Sequence, residues 1–184
     1  MGFPAFKEWH AIVEALHNGE QTLILRKGGI AEGRGGFQLK AERFWLLPTS
    51  FHLERSKLKP SAEKWLATNS LPDSPSTFAI TTFAEVVSSK FLADWDVVEK
   101  LDRFHFWSET TVRERFDWSK PPGLHAFIVR AYQLHQPFSV DNSPALAGCK
   151  SWVELPNDST AHSHMPAVAE GVFKQVRQEI ESLW

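Results

Sequence analysis

Residues 125–134, HAFIVRAYQL, carry the most pronounced strand pattern in the sequence, because β-branched and aromatic residues dominate them and KPPG breaks the chain just before. Similar patterns predict strands at 22–28 (TLILRKG), 43–49 (RFWLLPT), 77–89 (TFAITTFAEVVSS) and 149–155 (CKSWVEL). The five or six predicted strands have helices inserted between them without βαβ alternation. They predict one α+β domain over residues 1–184, built on a small, mostly antiparallel sheet or barrel with flanking helices.

Helical spacing marks both ends of the chain. Residues 5–17, AFKEWHAIVEALH, place apolar side chains three and four apart, and Asn18-Gly19 would end that helix. Residues 165–183 predict a long closing helix that begins near Pro166. Shorter helices are predicted at 59–70, 94–104 and 108–116, the last behind an imperfect capping box at Ser108.

The composition is that of an ordinary soluble domain with an unusual aromatic content. The chain has 184 residues, 42% of them hydrophobic and 23% charged, and holds eight Trp and fourteen Phe beside one Tyr. The net charge is −2, so binding of nucleic acid must rest on a local basic patch. The sequence shows no signal peptide and no apolar run of membrane-spanning length, which predicts a cytoplasmic protein without membrane contact.

Neither a metal nor another cofactor is predicted. A single cysteine excludes an internal disulfide and a Cys-based zinc site. Of the eight histidines, His162 and His164 are two apart in a polar loop, and no HExxH pattern occurs. We interpret the histidines as a chance cluster.

Residues 148–155, GCKSWVEL, contain that cysteine beside charged and aromatic residues. In a strand, successive side chains point to opposite faces. One face would hold Lys150, Trp152 and Glu154, which suits either a recognition surface or an ordinary ion pair beside an aromatic. The other face is small and apolar, which predicts a buried packing role for Cys149. We interpret this stretch as a recognition strand and not as an active site.

A second candidate is the stretch RKGG at 26–29. Gly28 and Gly29 would let backbone N–H groups approach a phosphate or a base, with Arg26 and Lys27 alongside. A hairpin with a solvated basic edge explains the same residues equally well, since the complete phosphate-loop pattern is missing.

Two polar residues follow the strand at 43–49. Because Pro48 ends the strand, Thr49 and His52 are expected in a loop at the rim of the sheet, where binding residues often lie. Trp45, in contrast, is predicted to be a core residue.

Residues 105–118, HFWSETTVRERFDW, interleave tryptophan with arginine. Trp107 and Trp118 around Arg113 and Arg115 would suit base stacking and phosphate contact. We favour the alternative, a helix whose apolar side faces the core and whose arginines are solvated.

Three stretches together resemble a family of bacterial domains of unknown function: residues 5–30, residues 44–52 (FWLLPTSFH) and residues 148–155. The resemblance covers most of the chain. That family is sometimes linked to restriction endonucleases, which implies a restriction-modification setting and a partner nuclease.

Residues 18–26, NGEQTLILR, are similar to the G-x-K-T-x-E-x-R signature of ASCH domains, which belong to the PUA-like superfamily. Gly19, Thr22 and Arg26 fall in register, whereas Gln21 and Ile24 replace the lysine and the glutamate of the signature. The likeness implies a PUA-like β-barrel with flanking helices that binds RNA or a modified base. Since some ASCH-like amidohydrolases use that lysine and glutamate for proton transfer, their replacement favours binding over catalysis.

The sequence therefore predicts a nucleic-acid-binding module, with a modified base as one candidate ligand. The predicted contact residues are Arg26, Lys27, Gly28, Gly29, Thr49, His52, Lys150, Trp152 and Glu154. One alternative is a hydrolase acting on a nucleotide-like amide or ester, in which Thr22, His52 and Glu154 would have to converge. Another is a protein-interaction subunit that docks through a tryptophan-rich surface.

Overall fold

The computed structural model describes residues 2–27, 38–49, 55–67, 76–118, 120–155 and 163–184. The strands within these ranges are β1 (Phe3–Trp9), β2 (Leu23–Arg26), β3 (Arg43–Thr49), β4 (Thr77–Leu92), β5 (Leu124–Asp141), β6 (Trp152–Leu155) and β7 (His164–Pro166). The helices are α1 (His10–His17), α2 (Glu63–Ala67), α3 (Trp95–Lys100), α4 (Glu109–Asp117) and α5 (Glu170–Glu181). The strands form one sheet in the order β2-β5-β4-β3-β1-β6, with β7 beside β5.

A long antiparallel hairpin of β4 and β5 forms the middle of this sheet. Its register runs from Thr77 opposite Asp141 to Leu92 opposite Leu124. Two irregularities interrupt it, between Ile80 and Thr82 and between Val86 and Ser88. Such bulges bend and twist a strand pair, which lets both strands extend beyond the segments that the sequence predicts, 77–89 and 125–134.

The first segment of the chain is a strand, so the prediction of one helix over 5–17 is wrong for residues 5–9. β1 pairs in parallel with β3 and antiparallel with β6, and only α1 is helical. Because β1 lies between two strands and is covered on both faces, strand pairing overrides its helical spacing. The closing segment is corrected in the same way: β7 precedes α5, which begins at Glu170.

The sheet is mostly antiparallel, as predicted, but it is not closed into a barrel. In the described strands its hydrogen-bonded order begins at β2 and ends at β6. The gap is bridged by a side chain, since Arg26 at the end of β2 donates a hydrogen bond from Nη2 to the carbonyl oxygen of Lys7 on β1. The sheet is therefore curled, with one guanidinium joining β2 to β1.

Two hydrophobic clusters occupy the two sides of the sheet. Neighbouring residues of one strand fall into different clusters: Phe44 belongs to the first and Trp45 to the second. Trp45 is buried, as predicted, and Trp107 is fully buried as well, whereas Trp118 is 69% exposed. No helix in the described ranges combines the length and apolarity needed to cross a bilayer.

Candidate functional site

A cavity of about 310 Å³ lies beside the bridge between β2 and β1. It is lined by Lys7, Trp9, Arg26, Lys27, Thr49, Arg115, Gly148, Cys149, Lys150 and Ser151, and we call it the basic pocket. Five of these ten residues are cationic, and none is a carboxylate. A chain with a net charge of −2 thus concentrates positive charge at one place.

Arg26 is held on three sides. Its Nη2 lies 3.6 Å from Oε2 of Glu8, and its guanidinium lies 4.6 Å above the ring of Phe6. Glu8 is fully buried on β1, and its Oε1 accepts a hydrogen bond from the backbone N–H of Trp9 at 2.8 Å. Together with the bond to the Lys7 carbonyl, these contacts fix the guanidinium while 18% of its side chain stays exposed.

Arg115, on α4, forms a second guanidinium of the pocket. It stacks over the ring of the buried Trp107 at 3.7 Å. Burial, and then the charge of Arg26, lower the pKa of Arg115 to about 10, so it stays protonated at neutral pH. Its Nη1 is buried without a hydrogen-bond partner among the described residues. The sequence predicts solvated arginines here, which is correct for the exposed Arg113 and wrong for Arg115.

Lys27 follows β2 and ties it to the loop after α4. Its Nζ donates to the carbonyl oxygens of Phe116, at 3.2 Å, and Gly123, at 2.7 Å. Burial lowers the pKa of Lys27, and the charge of Asp117 raises it in part. The ammonium group therefore builds one wall of the pocket and contributes its charge to it.

Lys7 shapes the opposite wall. Its Nζ donates to the carbonyl oxygens of Leu146, at 2.7 Å, and Gly148, at 2.8 Å, which positions the segment that carries Cys149 and Lys150. Burial lowers the pKa of Lys7. The charge of Cys149 raises that pKa in part, and the charge of Lys150 lowers it further. Cys149 is exposed in this segment, so the prediction of a buried packing cysteine is wrong. The reason is that β6 begins only at Trp152, so residue 149 does not alternate with it.

A larger cavity of about 930 Å³ continues from the basic pocket, with which it shares Lys150 and Ser151. It is lined by Pro4, Gln38, Leu39, Lys40, Ala145, Lys150, Ser151, Trp152, Val153 and Glu154, and we call it the long groove. The two cavities together form a continuous surface for an extended ligand.

The structure brings together four of the predicted contact residues, since Arg26, Lys27, Thr49 and Lys150 all line the basic pocket. The hydroxyl of Thr49 donates to the carbonyl oxygen of Glu8 at 3.1 Å, which joins it to the same wall. The predicted Gly28, Gly29 and His52 lie outside the described residues.

Trp152 and Glu154 line the long groove, but not as one exposed face. The Trp152 ring packs 5.0 Å from Phe6 and 5.1 Å from Phe44, and its Nε1 donates to the carbonyl oxygen of Gln38 at 3.0 Å. It is only 7% exposed, whereas Glu154 is exposed. The predicted common face is therefore wrong: core packing turns the indole inward, and only its edge reaches the groove wall.

The positions where the ASCH signature has lysine and glutamate serve the fold here. Gln21 is buried, with its Nε2 donating to the carbonyl oxygen of Leu23 at 2.6 Å and its Oε1 accepting from the N–H of Phe106 at 3.1 Å. Ile24 lies in the core. Thr22 is buried and directly precedes β2, next to Val129 of β5, whereas Glu154 lies on β6. His52, the third residue of the hydrolase alternative, lies outside the described residues.

Two cations of the basic pocket, Lys7 and Arg115, are not among the contact residues that the sequence predicts. A polar pair, Lys7 and Glu8, inside an otherwise apolar stretch was the available signal for the first. For Arg115 the signal was weaker, because its burial depends on Trp107 eight positions away. Among the described residues, no group of three His, Cys, Asp or Glu side chains could hold a metal ion.

Residues 5–179 match the family described as "Domain of unknown function (DUF1802)", and the chain belongs to this family. A crystal structure of ASCH from Zymomonas mobilis is similar, with 15% identity and a TM-score of 0.48 over 95% of this chain and 93% of that chain. Two single-substitution mutants of that protein give 14% identity, with TM-scores of 0.48 and 0.49. They cover 96% and 95% of this chain and 94% and 96% of theirs. No curated protein sequence matches significantly. The resemblance to a family of domains of unknown function is thus confirmed. The likeness to the ASCH structures does not transfer a function to this chain.

Proposed function

We propose that this member of the DUF1802 family is a nucleic-acid-binding module whose basic pocket holds a phosphate group and whose long groove holds the adjoining nucleosides. The observation that carries the proposal is a group of cations that outnumber the nearby carboxylates: Glu8 pairs with Arg26 and acts at longer range on Arg115. In the described part of the chain, no carboxylate lies within ion-pair distance of Lys27, Arg115 or Lys150. Charges that are partly desolvated and not neutralised by the protein favour an external anion.

The long groove supports a nucleic acid over a small free anion. A cavity of about 930 Å³ is far larger than a phosphate requires, and Lys150 and Ser151 connect it to the basic pocket. Its wall offers polar side chains, Gln38 and Glu154, beside the cation of Lys40. Phosphate contacts supply affinity in such complexes, and contacts to bases supply selectivity.

The modified-base prediction needs a different stacking residue from the one that the sequence suggests. Trp152 is buried and offers no open ring face. Trp118 is 69% exposed and lies two residues beyond Phe116, whose carbonyl oxygen binds Lys27. In this proposal Trp118, which lines neither of the two cavities, is the exposed ring that could stack on a base outside them. A cytoplasmic location and a partner nuclease remain predictions of the sequence.

The experiment is fluorescence anisotropy with labelled single- and double-stranded DNA and RNA at two salt concentrations. We expect binding that weakens with salt, because each neutralised phosphate releases counterions. Lys150→Gln should weaken binding at least tenfold without affecting folding, since Lys150 is exposed and makes no ion pair among the described residues. The matched control is Lys90→Gln, an exposed lysine on β4 that lines neither cavity.

Two results would contradict the proposal. One is the absence of binding at low salt by a protein that circular dichroism shows to be folded. The other is an equal loss of affinity in Lys150→Gln and Lys90→Gln, because the binding would then follow overall charge and not the basic pocket.

A further inference from the structure

We infer that the basic pocket selects the terminal phosphate monoester of a nucleic-acid strand over internal phosphodiesters. The inference rests on the function proposed above and specifies which phosphate enters the pocket. Three features of the pocket carry it: its charge, its position beside the long groove and the groups that remain free to donate hydrogen bonds.

The charge of the pocket matches a dianion better than a monoanion. Lys27, Arg115 and Lys150 have no ion pair in the described part of the chain, and Arg26 shares its single carboxylate contact with the buried Glu8. A phosphate monoester carries about −1.5 to −2 charges at pH 7, whereas an internal diester carries about −1. Among the described residues, the long groove has Lys40 and Lys150 as its cations and includes the carboxylate of Glu154. Positive charge is therefore concentrated where the ligand would end and is sparse along its length.

The position of the basic pocket beside the long groove suits the end of a strand. Arg26 closes the gap between β2 and β1, and Lys27 closes the gap between β2 and the loop after α4. Arg115 stacks on the fully buried Trp107 behind them. In the described residues, the continuation of the cavity runs into the long groove past Lys150. In this proposal, a strand that lies in the long groove ends with its terminal phosphate in the basic pocket.

The free donors suit a group with three terminal oxygens. The amine of Lys7 already donates to two backbone carbonyls and that of Lys27 to three, so they contribute mainly charge. Lys150 and the two guanidinium groups remain to contact the phosphate. Stacking on Phe6 and Trp107 fixes the planes of Arg26 and Arg115, which favours charge-assisted hydrogen bonds to phosphate oxygens.

The test compares one single-stranded 10-nucleotide DNA, and the same RNA, with four ends: 5′-phosphate, 3′-phosphate, hydroxyl at both ends, and a 5′-methylphosphate. The last is a diester of nearly the same size as the monoester but with a lower charge. We expect one phosphate-ended form to bind at least tenfold more tightly than both the hydroxyl and the methylphosphate forms. This advantage should decline below about pH 6, where the dianionic monoester takes up a proton and becomes a monoanion.

Two variants link the preference to the pocket. Lys150→Gln should reduce the tenfold preference to below threefold, and Lys90→Gln should preserve it. Arg115→Gln should abolish the preference, and Lys150→Gln keeps the test decisive if the buried arginine proves necessary for folding. Equal affinity for all four ends would overturn the inference and leave the proposed function standing. Absence of binding to every oligonucleotide would overturn both.

Discussion

Glu8→Gln is the substitution that tests most directly how the basic pocket is held together. The carboxylate of Glu8 is fully buried, 3.6 Å from Nη2 of Arg26, and its charge also acts on Arg115. At an effective dielectric constant of about 20, two unit charges at this distance attract by about 4.6 kcal/mol. Removing one partner of a buried pair costs about 3–5 kcal/mol. Because Arg26 keeps 18% exposure, we expect a loss of about 2–3 kcal/mol in the free energy of unfolding.

Urea denaturation and thermal melts followed by circular dichroism measure this loss. For a chain of this size, about 2–3 kcal/mol corresponds to a fall in Tm of roughly 4–12 °C. Sulfate should restore more stability to the variant than to the wild type, because in the variant Arg26 and Arg115 have lost the charge of Glu8 and the anion can replace it. The control is Glu99→Gln, an exposed residue on α3, which should change stability by less than about 0.5 kcal/mol.

The reasoning is refuted if the free energy of unfolding of Glu8→Gln lies within about 1 kcal/mol of the wild-type value, because loss of a buried ion pair should cost more than that. It is refuted equally if sulfate stabilises both proteins to the same extent. In either case the two guanidinium groups do not depend on the buried carboxylate.

Three further predictions follow from single residues. Burial lowers the pKa of His105 to about 4, so between about pH 6.5 and 4 the unfolded chain binds a proton that the folded protein does not. As the pH decreases through this range, the free energy of unfolding should decrease by up to about 1.4 kcal/mol per pH unit. The urea midpoint should therefore be lower at pH 5 than at pH 7, and this difference should be smaller in His105→Gln. Gly19→Ala should destabilise more than Gly148→Ala, because both have positive φ but only the first would place a Cβ 2.5 Å from the carbonyl oxygen of Ala167; equal Tm losses would contradict this. The thiol of Cys149 should react faster with an anionic disulfide reagent than with a neutral one, by a ratio that declines with salt; a salt-independent ratio, followed by absorbance, would argue against a cationic pocket.

Sequence patterns predicted elements whose character is local and missed those that depend on neighbours. The segment predicted at 43–49 coincides with β3, but Pro48 does not end the strand: Pro48 and Thr49 pair with Glu8 and Trp9 of β1, so the prediction of Thr49 in a loop is wrong. β1 was missed because its apolar residues also have helical spacing, and only pairing with β3 and β6 decides between the two. Barrel closure was likewise beyond the sequence, since it depends on whether β2 and β6 meet.

In the candidate site, too, residues with a local sequence signal were predicted and residues placed by tertiary packing were not. Arg26, Lys27 and Lys150 were recognised because they flank short strands, where side chains reach the rim of the sheet. Arg115 was not, because its helix alone predicts a solvated side chain, and its burial comes from the packing of α4 over Trp107. The orientation of Trp152 is decided by Phe6 and Phe44, which are distant in sequence.

The hydrogen bond from the Arg26 guanidinium to β1 holds two strands of the curled sheet together at the wall of the basic pocket. A ladder of backbone hydrogen bonds would make this junction cooperative, whereas one side chain lets it open by a single local event. An anion that binds Arg26 while Arg26 is bonded to β1 therefore favours the closed state of the junction over the open one. Amide hydrogen exchange in β1 and β2 is therefore expected to slow when the pocket is filled. Ligand binding stabilises the closed junction, and the closed junction in turn strengthens ligand binding.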